Sequence, residues 1–391
     1  MSEDAPTRQR PAVQPGSPDG GAAAAPRQPS EPGSRDGRRQ RRAVGDEMPR
    51  IRFTRRRLLA SGVFVVSTVA FLYFVLPKLL GLQETWNRLQ RGDEVWLAIA
   101  ALLEVLSFLG YVALFRAVFV RGESRIDWRE SYEITMAGLA ATRLFASAGA
   151  GGVALTAWAL RRSGLEARVV ACRMIAFMAL LYAVYMGALV LDGLGLYLGL
   201  IAGPAPFAIT VVPAILAAGV IALFLAVSLL PVDFDRLVGR WSHGGRLGWL
   251  AEHVAAAPTA AASGVRTAIS LVRSRNPYLL GALGWWGFDI AVLWACFHAF
   301  GSSPPAGVIV MAYFVGMVGN TLPLPGGIGG VDGGMIGAFS AFGVPVELSV
   351  VSVLAYRGFA FWLPTLPGAV AYLQLRRTVH RWRDAEAPSY T

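Results

Sequence analysis

Six stretches of this chain stay apolar for long enough to cross a lipid bilayer as helices, and no other feature narrows the fold as far. They run roughly Leu58–Leu76, Val95–Phe119, Val169–Leu191, Phe207–Leu230, Pro277–Phe300 and Leu348–Leu375. About twenty residues, each rising 1.5 Å, cover the ~30 Å of hydrocarbon. Only 16% of the residues are charged, against about a quarter in an ordinary soluble domain. The deficit falls in these long runs, so the expected fold is an all-α integral membrane protein.

Orientation follows from Arg and Lys in the short loops, which stay on the cytoplasmic side. Residues 1–57 hold thirteen Arg against seven acidic residues, so the N-terminus is placed inside. The second run returns to Arg121, Arg125 and Arg129. Loops 192–206 and 301–306 contain neither Lys nor Arg and read as external, whereas loop 231–276 carries six Arg and reads as internal. The last run ends in Arg376, Arg377, Arg381 and Arg383, internal again. The expected location is the cytoplasmic (plasma) membrane, multi-pass, with both termini cytoplasmic.

Two further apolar stretches do not fit as spans. Residues 132–160 have Arg-bearing loops on both sides, so a segment that starts inside must dip in and return. Residues 305–346 follow an external loop and precede an inward-running span, so they enter and return from outside. Both contain glycine-rich breaks, and the breaks match: Gly149-Ala-Gly-Gly-Val153 parallels Gly327-Ile-Gly-Gly-Val331. Inside the next span, Arg173-Met-Ile-Ala-Phe177 parallels Arg357-Gly-Phe-Ala-Phe361. The layout is that of an inverted repeat with two re-entrant hairpins, eight helical segments in all. Broken helices of this kind place free backbone groups near the midplane, where a polar substrate is held. This makes Gly151, Gly152, Pro325, Gly326, Gly327 and Gly329 candidate site positions. A plainer role is close helix packing, since Gly326/Gly330, Gly329/Gly333 and Gly333/Gly337 are also spaced for it.

Ionisable residues at membrane depth are costly and are functional candidates by default. Glu104, Arg143, Arg173, Asp289, Asp332 and Arg357 stand out. Three Arg and three carboxylates can neutralise one another and only orient helices. Alternatively the arginines line a cavity and receive an anionic group, for which a planar guanidinium is well shaped. The carboxylates then balance charge, bind a headgroup amine or carry protons.

The remaining features exclude other classes. Cys172 and Cys296 are the only cysteines, and the four histidines are scattered, so no metal or cofactor is expected. The net charge of +11 sits in the tail and short loops rather than on a soluble basic face, which speaks against nucleic-acid binding. Residues 1–50 are too poor in large apolar groups to fold and are expected to be disordered. The Arg50–Arg57 cluster beside the first run suits anionic lipids of the inner leaflet. A cleaved signal peptide is not expected. In this layout 51–377 is the membrane domain and 378–391 a cytoplasmic tail. Phe234, Leu237, Val238 and Trp241 share one helical face and predict an interfacial helix in loop 231–276.

One motif carries a family resemblance. Leu324-Pro325-Gly326-Gly327-Ile328-Gly329-Gly330-Val331-Asp332, with Gly343-Val344-Pro345 and Tyr356-Arg357, resembles the second signature of the lysylphosphatidylglycerol synthase transmembrane (flippase-like) family. Gly151-Gly152-Val153 through Leu160-Arg161-Arg162-Ser163-Gly164 resembles the first. Asp332 stands where that family usually has Glu, and Ala148 and Gly152 where it has Pro and an acid. The resemblance implies a membrane bundle that moves an anionic, aminoacylated or polyprenyl-linked lipid between leaflets. A soluble aminoacyl-transfer domain is not expected here.

Three readings of function follow. The first is a lipid flippase that holds a phospholipid or lipid-linked headgroup at Arg143, Arg173 and Arg357. The second is a proton-coupled transporter of a small polar solute, working through Asp289 or Asp332. The third is a non-transporting scaffold for cell-envelope biosynthesis. An enzyme is not expected: no nucleophile elbow, paired-His site or phosphate loop is present, and the 326–334 glycines do not follow a strand. The oligomeric state is left open.

Overall fold

The computed structural model describes residues 91–120, 125–144, 150–229, 246–322 and 327–386, and every regular element among them is helical. In chain order these are α1 (Glu94–Phe119), α2 (Trp128–Leu144), α3 (Ala150–Arg162), α4 (Ala167–Tyr197), α5 (Phe207–Ser228) and α6 (Arg246–Arg273). They continue with α7 (Gly281–Phe300), α8 (Ala306–Met317), α9 (Gly330–Ala341), α10 (Val346–Arg357) and α11 (Leu363–Glu386). Five segments among the described residues are long and apolar enough to cross a membrane: Glu94–Phe119, Ala167–Tyr197, Phe207–Ser228, Pro277–Phe300 and Val346–Arg383. They coincide with five of the six expected spans. The sixth, Leu58–Leu76, lies outside the described residues, as do the basic tail, residues 234–241, Pro325 and Gly326.

Two spans are longer than their apolar runs. Helix α4 continues past Leu191 to Tyr197 and buries Asp192, which the sequence reading leaves in a loop. The last span passes from α10 to α11 through a π turn at Gly358–Trp362 and runs on to Glu386.

The centre is a seam between α1 and α7, which touch backbone to backbone. A Cβ on Gly110 would stand 2.8 Å from the Trp285 nitrogen, and one on Gly281 would overlap the Gly110 carbonyl. Without water to drive helices together, such close approach supplies the contact energy. Ser107 Oγ donates to Trp285 O at 2.9 Å, and Asp93 N donates to Ala299 O at 3.0 Å. Helices α1 and α7 are therefore antiparallel, the start of one beside the end of the other.

This pairing sorts the loops onto two faces. The end of α1 shares a face with the starts of α2, α4 and α7 and with the end of α11. Arg173 Nη1 donates to Phe119 O at 3.0 Å, the Trp128 and Tyr278 rings meet at 5.6 Å, and Thr378 Oγ1 donates to Glu133 Oε2 at 2.7 Å. That face carries Arg125, Arg161, Arg162, Arg168, Arg273, Arg275 and the Arg of α11. The opposite face gathers residues 198–206 and 301–305, where Gly203 packs beside Val308. Those two loops hold no Lys or Arg. The charge asymmetry counted along the chain is thus an asymmetry between two ends of the bundle.

Both stretches that resisted assignment as spans fold as hairpins. In α2–α3, Gly138 faces Thr156, and a Cβ on Gly152 would overlap Thr142 Oγ1 and the Gly138 carbonyl. In α8–α9, a Cβ on Gly330 would stand 2.9 Å from the Gly319 carbonyl, and one on Gly334 3.1 Å from the Gly316 Cα. The first hairpin starts and ends on the Arg-bearing face and the second on the other, so they enter from opposite sides. Packing within the second uses Gly330 and Gly334. Gly329, Gly333 and Gly337, expected to form packing pairs, lie on the open side of α9, where an added Cβ meets nothing within 4 Å.

The base of the first hairpin is tied down. Asp127 Oδ1 accepts from Glu130 N at 2.9 Å while Glu130 Oε2 accepts from Asp127 N at 2.7 Å, a reciprocal cap on α2. The hydrogen bond from the Glu130 N–H holds the Asp127 carboxyl below the usual carboxylate range. One turn on, fully buried Glu133 accepts from Thr378 of α11 and pairs with Arg129 at 3.0 Å. Part of the expected soluble loop 231–276 is helix as well: α6 buries Ala262, Val265, Ala268 and Leu271, with Gly264 pressed against Ile175 of α4.

Candidate functional site

The tip of the second hairpin is shaped by two glycines with left-handed backbone, Gly327 (φ 66°) and Gly329 (φ 85°), a conformation that costs other residues energy. At Gly327 a side chain would also overlap Asn320 Oδ1 across the turn. Three residues beyond Gly329, Asp332 folds back over the first turn of α9. Its Oδ2 accepts from Gly329 N at 2.7 Å, which satisfies one free donor of the helix start. Its Oδ1 lies 2.7 Å from Arg357 Nε on the last turn of α10. The ion pair fastens the hairpin tip to the last span.

Next to Arg357, Tyr356 donates its hydroxyl to Asp289 Oδ2 at 2.8 Å, and Tyr313 of α8 donates to the same oxygen. Asp289 sits midway along α7. Across the α1–α7 seam Glu104, only 1% exposed, turns its carboxyl toward Asp289, with Arg143 and Arg357 as its cationic neighbours. Glu104 Oε2 is buried with no hydrogen-bond partner. Arg143, on the last turn of α2, brings the tip of the first hairpin to the same place. Its Nη1 is likewise buried without a partner, and its guanidinium carbon stands 5.8 Å from the Phe108 ring centre.

Several of these groups form the floor of a cavity of about 480 Å³. Arg143, Asp289, Tyr356 and Arg357 line it, as do Thr142 and Gly152 of the first hairpin and Asn320 and Gly327 of the second. Its walls are aromatic. On α1, Tyr111, Phe115 and Phe119 follow one another at four-residue spacing toward the Arg-bearing face, joined by Phe177 and Trp285. Val153 and Tyr182, which also line it, remain 43% and 49% exposed where α3 faces α4. The volume lies within the range of small-molecule pockets.

Arg143, Asp289, Arg357, Gly152 and Gly327 are thus brought together by elements far apart in sequence. Glu104 and Asp332 lie behind the lining and set its charge, and Gly329 caps α9. Gly151 stands in the first turn of α3, off the lining. Arg173 is also off it, bonded to the end of α1 at Phe119 O. Three residues escaped the sequence reading. Tyr313 and Tyr356 hold Asp289, yet Tyr356 enters that reading only as the neighbour of Arg357. Asp192, 7% exposed with Oδ2 unbonded near Gly307, falls one residue beyond an apolar run taken to end at Leu191. No group of three or more metal-ligating side chains occurs among the described residues.

The profile described as "Lysylphosphatidylglycerol synthase TM region" matches residues 58–368. A UPF0104 membrane protein of Methanothermobacter thermautotrophicus (strain Delta H) is 26% identical over 328 residues, covering 79% of this chain and 93% of that protein. Another alignment to a protein of that name and organism is 34% identical over 112 residues. It covers 28% of this chain and about a third of the relative's length (31%).

Proposed function

This chain belongs to the lysylphosphatidylglycerol synthase TM region family, and we propose that it carries an anionic phospholipid or lipid-linked phosphate between the leaflets of the membrane. The observation behind this reading is that two hairpins entering from opposite faces end at one cavity, with Arg143 and Arg357 in its floor. A phosphodiester offers the acceptors that a buried guanidinium lacks. Charge-assisted hydrogen bonds of this kind are about twice as strong as neutral ones. Arg143 approaches with an unbonded Nη1, and Arg357 is held at a fixed angle by Asp332.

The cavity is sized for a headgroup. Acyl chains stay in the hydrocarbon, reached past the half-exposed Val153 and Tyr182, while the aromatic walls cover the glycerol region. Because the two hairpins reach the cavity from opposite faces, each stands between the cavity and its own face, the arrangement that alternating access requires. The Arg-bearing face, on which the cavity's aromatic ladder ends, is read as cytoplasmic by loop charge.

The test is reconstitution into vesicles with a fluorescent phosphatidylglycerol, followed by chemical quenching of the outer leaflet. The protein is expected to expose inner-leaflet label far faster than protein-free vesicles, and Arg143→Gln to slow it at least tenfold. Folded protein that moves neither phosphatidylglycerol nor a polyprenyl phosphate would sink the reading.

A further inference from the structure

We propose that Glu104 and Asp289 form a proton-binding pair that loads when a phosphate anion seats against Arg143, so that headgroup binding and proton uptake are linked. This rests on the cavity's proposed role as a headgroup site and names the ion that accompanies the lipid.

The geometry comes first. The two carboxyls face each other across the α1–α7 seam. Asp289 Oδ2 already accepts from Tyr313 and Tyr356, whereas Glu104 Oε2 is buried without a donor. A proton shared by the pair supplies that missing donor.

Charge count makes the second point. The groups that face the pair are Arg143 from α2, Tyr313 from α8, Tyr356 and Arg357 from α10, and Cys296 from α7, with Asp332 of α9 behind Arg357. Asp332 neutralises Arg357, which leaves Arg143 opposite two carboxyls. With one proton on the pair the cluster is neutral. A monoanionic phosphate beside Arg143 makes it negative again, and a second proton, drawn from water in the cavity that Asp289 lines, restores neutrality. Only O–H bonds form and break.

The test uses the full chain in detergent, with dihexanoyl phosphatidylglycerol in one arm and inorganic phosphate in the other. Titration calorimetry in two buffers of different ionisation enthalpy reads the protons taken up per anion bound. Wild type is expected to take up about one, and its affinity to fall about tenfold per pH unit where uptake occurs, as one linked proton requires. Glu104→Gln leaves Asp289 alone to take up the proton, so the double variant Glu104→Gln/Asp289→Asn should lose both the uptake and the pH slope, and Glu104→Asp should keep them. Independently of any ligand, infrared spectra of the unliganded protein should show a protonated-carboxyl band that Glu104→Gln removes. Binding without proton uptake, or no such band in wild type, overturns the pair. Uptake with inorganic phosphate alone keeps the coupling and overturns the lipid reading. If neither anion binds, the coupling and the lipid reading fall together.

Discussion

The two hairpins repeat each other in backbone but not in charge. Gly152 and Gly330 hold matching places in the repeated glycine motif, and each is where the returning arm presses on a carbonyl of the entering arm. Two residues further on the likeness ends: the second hairpin has Asp332 where the first has Ala154. The matched arginines diverge as a result. Arg357 pairs with Asp332, while Arg173, with no acid at the matching place, bonds to Phe119 O at the end of α1. The first hairpin carries its own cation instead, Arg143 at its tip, facing carboxyls on α1 and α7. One hairpin is locked at its tip. The other is locked at its base, through Asp127 and Glu133, and presents its tip arginine to the cavity. The two hairpins share the contact that needs only a missing side chain and differ in the ionic contacts, which need two residues to agree.

The contrast can be broken most directly at the locked tip. Arg357→Gln should cost about 3 kcal/mol, since it leaves Asp332 buried without its cation, and Asp332→Asn in the same chain should recover much of it. Thermal unfolding in detergent reads both, and an Arg357→Gln variant as stable as wild type would falsify the lock. Gly152→Ala should cost roughly 2 kcal/mol by forcing α2 and α3 apart. Gly337→Ala, whose Cβ meets nothing, should stay within about 0.5 kcal/mol; equal losses would show that the hairpin contact is not special.

At the open tip the expectation reverses. Arg143→Gln should cost less than Arg357→Gln, about 1–2 kcal/mol, because it removes the cation facing Glu104 and Asp289 but its Nη1 has no hydrogen bond to lose. Lipid movement should nonetheless fall at least tenfold, and an unfolded Arg143→Gln protein would erase the difference between the tips. A smaller effect is expected at Asp127. Its folded carboxyl titrates below its unfolded value, so the contribution of the cap is full above about pH 4 and is lost as pH falls through the folded value. Asp127→Ala should cost about 1 kcal/mol at neutral pH and little in acid. Hydrogen exchange along α2 measures it, and a loss that does not shrink in acid removes the cap from the account.

Much of this was legible in the chain itself. Long apolar runs announced α1, α4, α5, α7 and the α10–α11 span, because a helix in hydrocarbon must be apolar along its whole length. Loop arginines separated the two faces. Glycine breaks in stretches that could not cross marked both hairpins, and the cost of burying charge singled out Glu104, Arg143, Asp289, Asp332 and Arg357. Other features left no such mark. The tyrosines that hold Asp289 look like any other aromatic residues in apolar runs. Helix α6 is polar enough to pass for loop, and Asp192 ended an apolar run on paper although its helix continues for another turn.

What the sequence determined by itself was which segments are apolar enough to span and which end of the bundle carries the loop arginines, since hydropathy and loop charge are properties of each segment separately. What only the tertiary structure decided was partnership. Arg173 and Arg357 occupy equivalent places in the chain, yet one stabilises a helix end and the other faces the cavity. The reason is physical: a buried ionic group takes its role from the partner within about 3 Å, and that partner comes from whichever helix the packing brings alongside.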